Sequence, residues 1–96
     1  MFKEIEPQKV QEMQEDGAVN VVDIRDENSY SIGHIPNSVS LNDTNVKEYI
    51  ESTDKEKPLV VCCYHGNSSR GAAEYFSQQG FKEVYSMTGG FAAWPA

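Results

Sequence analysis

The chain has 96 residues, enough for one hydrophobic core and too few for two domains of ordinary size, so residues 1–96 are read as one domain. Its hydrophobic share of 39%, gathered into runs such as Val19-Asn20-Val21-Val22 and Leu59-Val60-Val61-Cys62, excludes the disordered class. A formal net charge of −7 excludes nucleic acid and anionic membrane surfaces as main partners, because both need a basic face.

Helix and strand patterns alternate along the chain. Lys3–Ile5 reads as a short first strand, and Pro7 suits the first turn of a helix through Asp16 that puts Val10 and Met13 on one face and ends at Gly17. Val19–Ile24, rich in β-branched residues, is a buried strand. Glu27–Ile32 forms a short helix before a turn at Gly33-His34, and Ser38–Leu41 a short strand. Asp43 or Thr44 caps a helix through Ile50 whose inner face carries Val46, Tyr49 and Ile50. The charged stretch Glu51–Lys57 is a solvated connection, after which Pro58 opens a strand ending at Cys62. Arg70–Gln79 is a helix with Ala72, Ala73, Tyr75 and Phe76 available for packing, ended by Gly80. Glu83–Ser86 is the last strand, and Gly90–Trp94 begins a short final helix. Strands alternating with helices across short loops give an α/β fold: a mostly parallel sheet of about five strands flanked by helices on both faces.

No segment reaches the ~18 consecutive apolar residues of a membrane span, and Met1–Glu6 lacks the apolar core of a signal peptide. A cytoplasmic location is the expectation. Without an obvious exposed apolar stripe, so is a monomer.

The two cysteines are adjacent. Consecutive Cα atoms lie about 3.8 Å apart, short of the ~4.4 Å that disulfides need, so a Cys62–Cys63 bridge is disfavoured. Neighbouring strand residues point to opposite faces and only His65 is near in sequence, so no metal site is expected. Cys62 reads as a small core hydrophobe. Cys63 is different. It ends an apolar strand and opens the small polar loop Tyr64-His65-Gly66-Asn67-Ser68-Ser69, behind which a helix starts near Ser68 or Ser69. In open parallel sheets, sites lie at the carboxyl ends of strands. A loop of this kind curls its amides inward, and the helix start adds positive potential, so the thiol at its centre is biased toward thiolate. Cys63 is the candidate nucleophile.

The loop Cys63-Tyr64-His65-Gly66-Asn67-Ser68-Ser69 resembles the active-site loop of the rhodanese family of sulfurtransferases, its single-domain thiosulfate-using members above all. Three further stretches match in the family's order: Val22-Asp23-Ile24-Arg25, Gly33-His34-Ile35-Pro36-Asn37-Ser38 and Gly89-Gly90-Phe91-Ala92-Ala93-Trp94. Many members carry Arg directly after the cysteine, where this chain has Tyr64.

The resemblance implies a rhodanese-like α/β domain and a double displacement. Cys63 would take the sulfane sulfur of thiosulfate as a persulfide and pass it to cyanide or to a dithiol protein such as thioredoxin, with no cofactor. Gly66 permits the tight turn, amides from Tyr64 to Ser69 would stabilise the persulfide, and the Ser68 and Ser69 hydroxyls would donate to the terminal sulfur or close the turn. His65 is read as shaping the entrance, because a thiolate attack needs no proton transfer. Tyr64 is a pocket wall or a packing residue. Arg70 either contacts substrate or pairs with Asp23 or Asp26. Asp23 and Arg25 hold the loop through an ion pair or backbone hydrogen bonds, His34 bonds backbone, and Trp94 buries its ring against the sheet.

Rival functions are a persulfide carrier or regulatory rhodanese domain serving one protein partner, and a phosphatase or arsenate reductase of the cell-division-cycle type. The last needs Cys-x5-Arg, whereas Cys63 to Arg70 contains one residue too many. Regulatory domains commonly lack the cysteine that this chain keeps.

Overall fold

The computed structural model describes residues 1–95. Five strands, β1 (Lys3–Ile5), β2 (Asn20–Asp23), β3 (Val39–Ser40), β4 (Leu59–Cys62) and β5 (Val84–Met87), form one parallel sheet in the order β1-β5-β4-β2-β3. Four α-helices join them: α1 (Pro7–Glu15), α2 (Glu27–Ile32), α3 (Val46–Ser52) and α4 (Ser68–Gln78). A 3₁₀ turn spans Gly90–Ala93. A parallel sheet is covered on both faces, so its central strands read as unbroken apolar runs. In β4 all four residues are buried, while the edge strands β1 and β3 are largely open.

Alternation along the strands divides the core in two. One face carries Val22, Leu59, Val61 and Val84 under α3 and α4, which contribute Ile50, Ala73 and Phe76. Phe76 meets Phe81 edge to face at 5.7 Å, and full burial of such a ring stabilises the fold by roughly 1.5–3 kcal/mol. The other face carries Val21, Val60, Cys62 and Met87 with Val10 of α1 and Ile35.

Several boundaries differ from the sequence reading, each for a local reason. Helix α3 begins at Val46 rather than after Asp43 or Thr44 and runs on to Ser52. Asn42 does the work assigned to Asp43 and Thr44: its Oδ1 accepts from Thr44 N at 2.9 Å and Asn45 N at 3.2 Å, holding a turn just before the helix. The last element is a 3₁₀ turn, and Trp94 beyond it packs half-buried against the α1-side core, the place expected for its ring. Tyr75 points outward, 45% exposed, so α4 packs through Ala73 and Phe76. The Glu51–Lys57 connection is less solvated than its charge suggests: Lys55 Nζ donates to Ile50 O at 2.5 Å and lies 5.4 Å from the Phe81 ring centroid. The remaining strands and helices start and stop within two residues of their expected bounds.

Strand order fixes where a site can form. The chain runs from β2 outward to β3, then crosses back to β4 on the other side of β2. Adjacent strands whose connections leave in opposite directions open a crevice at their carboxyl ends. Here those strands are β2 and β4, and beyond them lie Ile24-Arg25 and Cys63.

Candidate functional site

The β4 alternation places Cys62 and Cys63 in opposite surroundings. Cys62 lies in the α1-side core with Val60 and Met87, fully buried, and burial together with the nearby Asp23 carboxylate pushes its thiol up to about 12. Both causes favour the neutral thiol over the thiolate. Cys63 sits at the floor of the loop, where its Sγ accepts from Gly66 N at 3.1 Å and from Ser69 N at 3.3 Å. Burial pushes this thiol up more than any other single contribution. The Ser69 hydroxyl and the amides of Ser69, Gly66 and His65 together outweigh it, so the net shift is downward. Both cysteines are free thiols.

Peptide orientation explains how amides can face one sulfur. The carbonyls that would otherwise point inward are held from outside: Phe91 N donates to Cys63 O at 2.7 Å and Ala92 N to Tyr64 O at 3.1 Å. Gly66 makes the reversal with φ of 91°, a region that strains any side chain, and a methyl there would lie 2.8 Å from Gly89 N. Ser69, in the first turn of α4, then presents its unpaired helix-start N–H to the sulfur.

The sequence-derived residues divide into those that reach Cys63 and those that rim the loop. Gly66 and Ser69 contact Sγ directly, and the His65 amide contributes from close by. The side chains of Tyr64, His65, Asn67, Ser68 and Arg70 are exposed. Of the two loop serines, Ser69 is buried beside the sulfur and Ser68 stands at the open side of the loop. Among the described residues Arg70 makes no ion pair, and neither carboxylate proposed for it is free. Asp23 is bound to Arg25, and Asp26 caps α2 by accepting from Ser29 N at 3.0 Å.

Asp23 and Arg25 form a buried bidentate pair. Arg25 Nε and Nη2 donate to Asp23 Oδ2 at 3.0 and 2.8 Å, and Nη2 also reaches Gly33 O at 2.7 Å. The guanidinium lies 4.2 Å from the Phe91 ring centroid and 5.8 Å from that of Tyr64. One side chain thus ties the end of β2 to the Gly33 turn, the cysteine loop and the 3₁₀ turn. The expected loop-holding role is met, while the ring contacts were invisible to the sequence because Phe91 arrives from the far end of the chain. Lysine keeps the charge but has neither the fork nor the planar face. Arg25→Lys should therefore cost about 1–2 kcal/mol and lower the melting temperature by about 5–10 °C in a thermal melt.

Tyr64 turns its ring over Arg25 and its hydroxyl to Ser29 Oγ at 3.0 Å, which makes it a wall held against α2. His34 bonds backbone as expected, Nδ1 to Tyr30 O at 2.8 Å, and stacks on the Tyr30 ring.

A depressed thiol has a direct readout. Alkylation follows the thiolate fraction, so the rate at Cys63 should rise with pH through a midpoint below that of a free thiol and then flatten. Cys62 should stay unmodified across the same range, because its thiol titrates near 12 inside the core. Iodoacetamide labelling from pH 5 to 10, read by peptide mass, checks both.

The chain matches the rhodanese-like domain family over residues 6–96. It is 52% identical over 95 residues to the thiosulfate sulfurtransferase GlpE of Ectopseudomonas mendocina, covering 99% of this chain and 86% of that protein. A rhodanese-related protein from Thermoplasma volcanium superposes with a TM-score of 0.81 at 29% identity, over 97% of this chain and 90% of its own. A protein of unknown function from Rhodopseudomonas palustris, described as a possible tyrosine phosphatase, gives 0.81 at 29% identity over 97% and 79%. With the cysteine loop, the amides around its sulfur and this extent of match in agreement, the chain belongs to the rhodanese-like domain family.

Proposed function

We propose that this chain is a thiosulfate sulfurtransferase working by double displacement through a persulfide on Cys63. The observation that carries the reading is the convergence of Gly66 N and Ser69 N on one sulfur at the start of α4. The GlpE relatives, named for this activity, support it.

Cys63 thiolate attacks the outer sulfur of thiosulfate, a new S–S bond forms, and the old bond to the sulfonate sulfur breaks with its electron pair leaving on sulfite. No proton need move, which leaves His65 at the entrance without acid–base duty. The product carries its negative charge on the outer sulfur, within reach of the loop amides. Donors of this kind are fixed before the reaction starts, and losing one from an oxyanion hole costs about 10²–10³ in rate. Cyanide then attacks the outer sulfur to give thiocyanate and restore the thiolate. In the cell a thioredoxin-like dithiol does the same, its first thiol taking the sulfur and its second releasing it as sulfide with formation of a disulfide. No cofactor enters this sequence.

Thiosulfate is an anion and the chain carries −7, so attraction is local rather than long-range. Arg25 is neutralised by Asp23, which leaves the loop amides, the start of α4 and exposed Arg70 at the rim to draw the donor in. No helix of the described residues is long and apolar enough to cross a membrane. Two free thiols suit the reducing cytoplasm.

Intact mass after incubation with thiosulfate tests the reading. The protein should gain one sulfur atom, and cyanide should remove it as thiocyanate. Sulfur uptake with slow release to cyanide and fast release to a protein acceptor would make it a carrier. Turnover of an aryl phosphate without sulfur uptake would make it a phosphatase, against the loop length.

A further inference from the structure

Beneath the cysteine loop two hydroxyls face each other in the dark of the core. Ser69 is 0% exposed and Ser86 2%, and their Oγ atoms lie 2.6 Å apart. Ser86 belongs to β5 and shares the α4-side face with Val84, so it meets the first turn of α4 from below. Either oxygen could donate in this bond, and each hydroxyl has one hydrogen to place. If Ser69 donated to Ser86, the Ser86 hydrogen would be left buried with nothing to accept it, which native cores avoid. If Ser86 donates, the Ser69 hydrogen still has the Cys63 sulfur that the same residue contacts through its backbone, so only this arrangement offers both hydrogens an acceptor. The Ser69 hydrogen is then free to point elsewhere, and Ser69 already holds the sulfur through its backbone at 3.3 Å.

We propose that Ser86 is a positioning residue: its hydroxyl donates to Ser69 Oγ and so commits the Ser69 hydroxyl hydrogen to Cys63 Sγ. The Ser69 hydroxyl is among the groups that favour the Cys63 thiolate, in keeping with a hydrogen aimed at the sulfur. The polarised chain Ser86–Ser69–Cys63 strengthens as charge develops at its end. It runs inside the sheet, away from solvent, where nothing competes for its hydrogens. The proposal rests on the reading of Cys63 as the nucleophile.

Two isosteres separate the hydroxyl from the packing. Ser86→Thr keeps the donor and Ser86→Val has the same shape without it, and both suit a strand. The pH midpoint of Cys63 alkylation by iodoacetamide is measured for the native protein, both variants, Ser69→Ala and Ser69→Ala combined with Ser86→Val. Ser86→Val should raise the midpoint by about half a pH unit, about three-fold less thiolate at neutral pH, and Ser86→Thr should restore it. In the combined variant the midpoint should equal that of Ser69→Ala alone, because Ser86 acts only through Ser69. An unmoved midpoint in Ser86→Val, equal shifts in Ser86→Thr and Ser86→Val, or additive shifts in the combined variant would each overturn the proposal. Should the extra methyl prevent folding, judged by near-ultraviolet circular dichroism, Ser86→Ala against Ser86→Cys gives the same comparison with smaller side chains. Sulfur uptake is scored separately. A native protein that never gains sulfur, yet whose Cys63 midpoint follows Ser86, would remove the sulfurtransferase reading and leave this one standing.

Discussion

Substituting Cys63→Ser is expected to abolish sulfur uptake from thiosulfate and to lower turnover with cyanide at least about 10³-fold, since a serine hydroxyl in the same cradle stays protonated and cannot hold a sulfane sulfur. Folding should survive, because the change is one atom at the floor of a loop whose backbone contacts remain. Cys62→Ala should do the reverse. It removes a buried thiol from the α1-side core, costing about 1 kcal/mol, and leaves uptake intact. Intact mass on the three proteins decides. A sulfur gain that follows Cys62 instead of Cys63 would move the nucleophile to the other face of the sheet and dismantle the mechanism.

The second large effect belongs to a residue with no side chain. Gly90 opens the 3₁₀ turn with φ of 62°, and a methyl on it would lie 2.5 Å from Cys63 O and from Tyr64 O. Those are the carbonyls that the turn pins outward. Gly90→Ala therefore combines left-handed strain with a collision against backbone, which cannot rotate away as a side chain would. A cost of about 2–4 kcal/mol follows, or a melting temperature about 10–20 °C lower. Activity should fall further than the folded fraction, about ten-fold or more in the molecules that remain folded, because the displaced carbonyls carry the Gly66 amide away from the sulfur. Thermal melts paired with sulfur uptake at a temperature where the variant is still folded distinguish lost fold from lost geometry.

How much of this was legible in the sequence depended on range. The loop was readable because its parts are contiguous: an apolar strand, a cysteine, a glycine turn and a helix start follow one another in chain order, and alternation alone separates Cys62 from Cys63. The Asp23–Arg25 pair was half legible, since two residues at a strand end suggest an ion pair but not the aromatic partners that close over it. Ser86 was not. A serine between Tyr85 and Met87 looks like an outward strand position, and only the meeting of β5 with α4 makes it a buried donor. The same limit explains α3, where Asp43 and Thr44 look like caps by type and Asn42 wins by geometry. Of the two readings of Arg70, the pairing with Asp23 or Asp26 fails for a related reason. Which carboxylate a free arginine finds depends on whether that carboxylate already has a closer partner, and Asp23 does.

The two amides that hold the cysteine loop, Phe91 N and Ala92 N, come from a segment far along the chain from the cysteine they serve. Where Gly90–Ala92 is undocked both pins are lost, and the loop amides have no fixed aim at the sulfur. Acidity at Cys63 should therefore report the docking of a distant turn, so that an unfolding event beyond β5 silences the thiol at the end of β4.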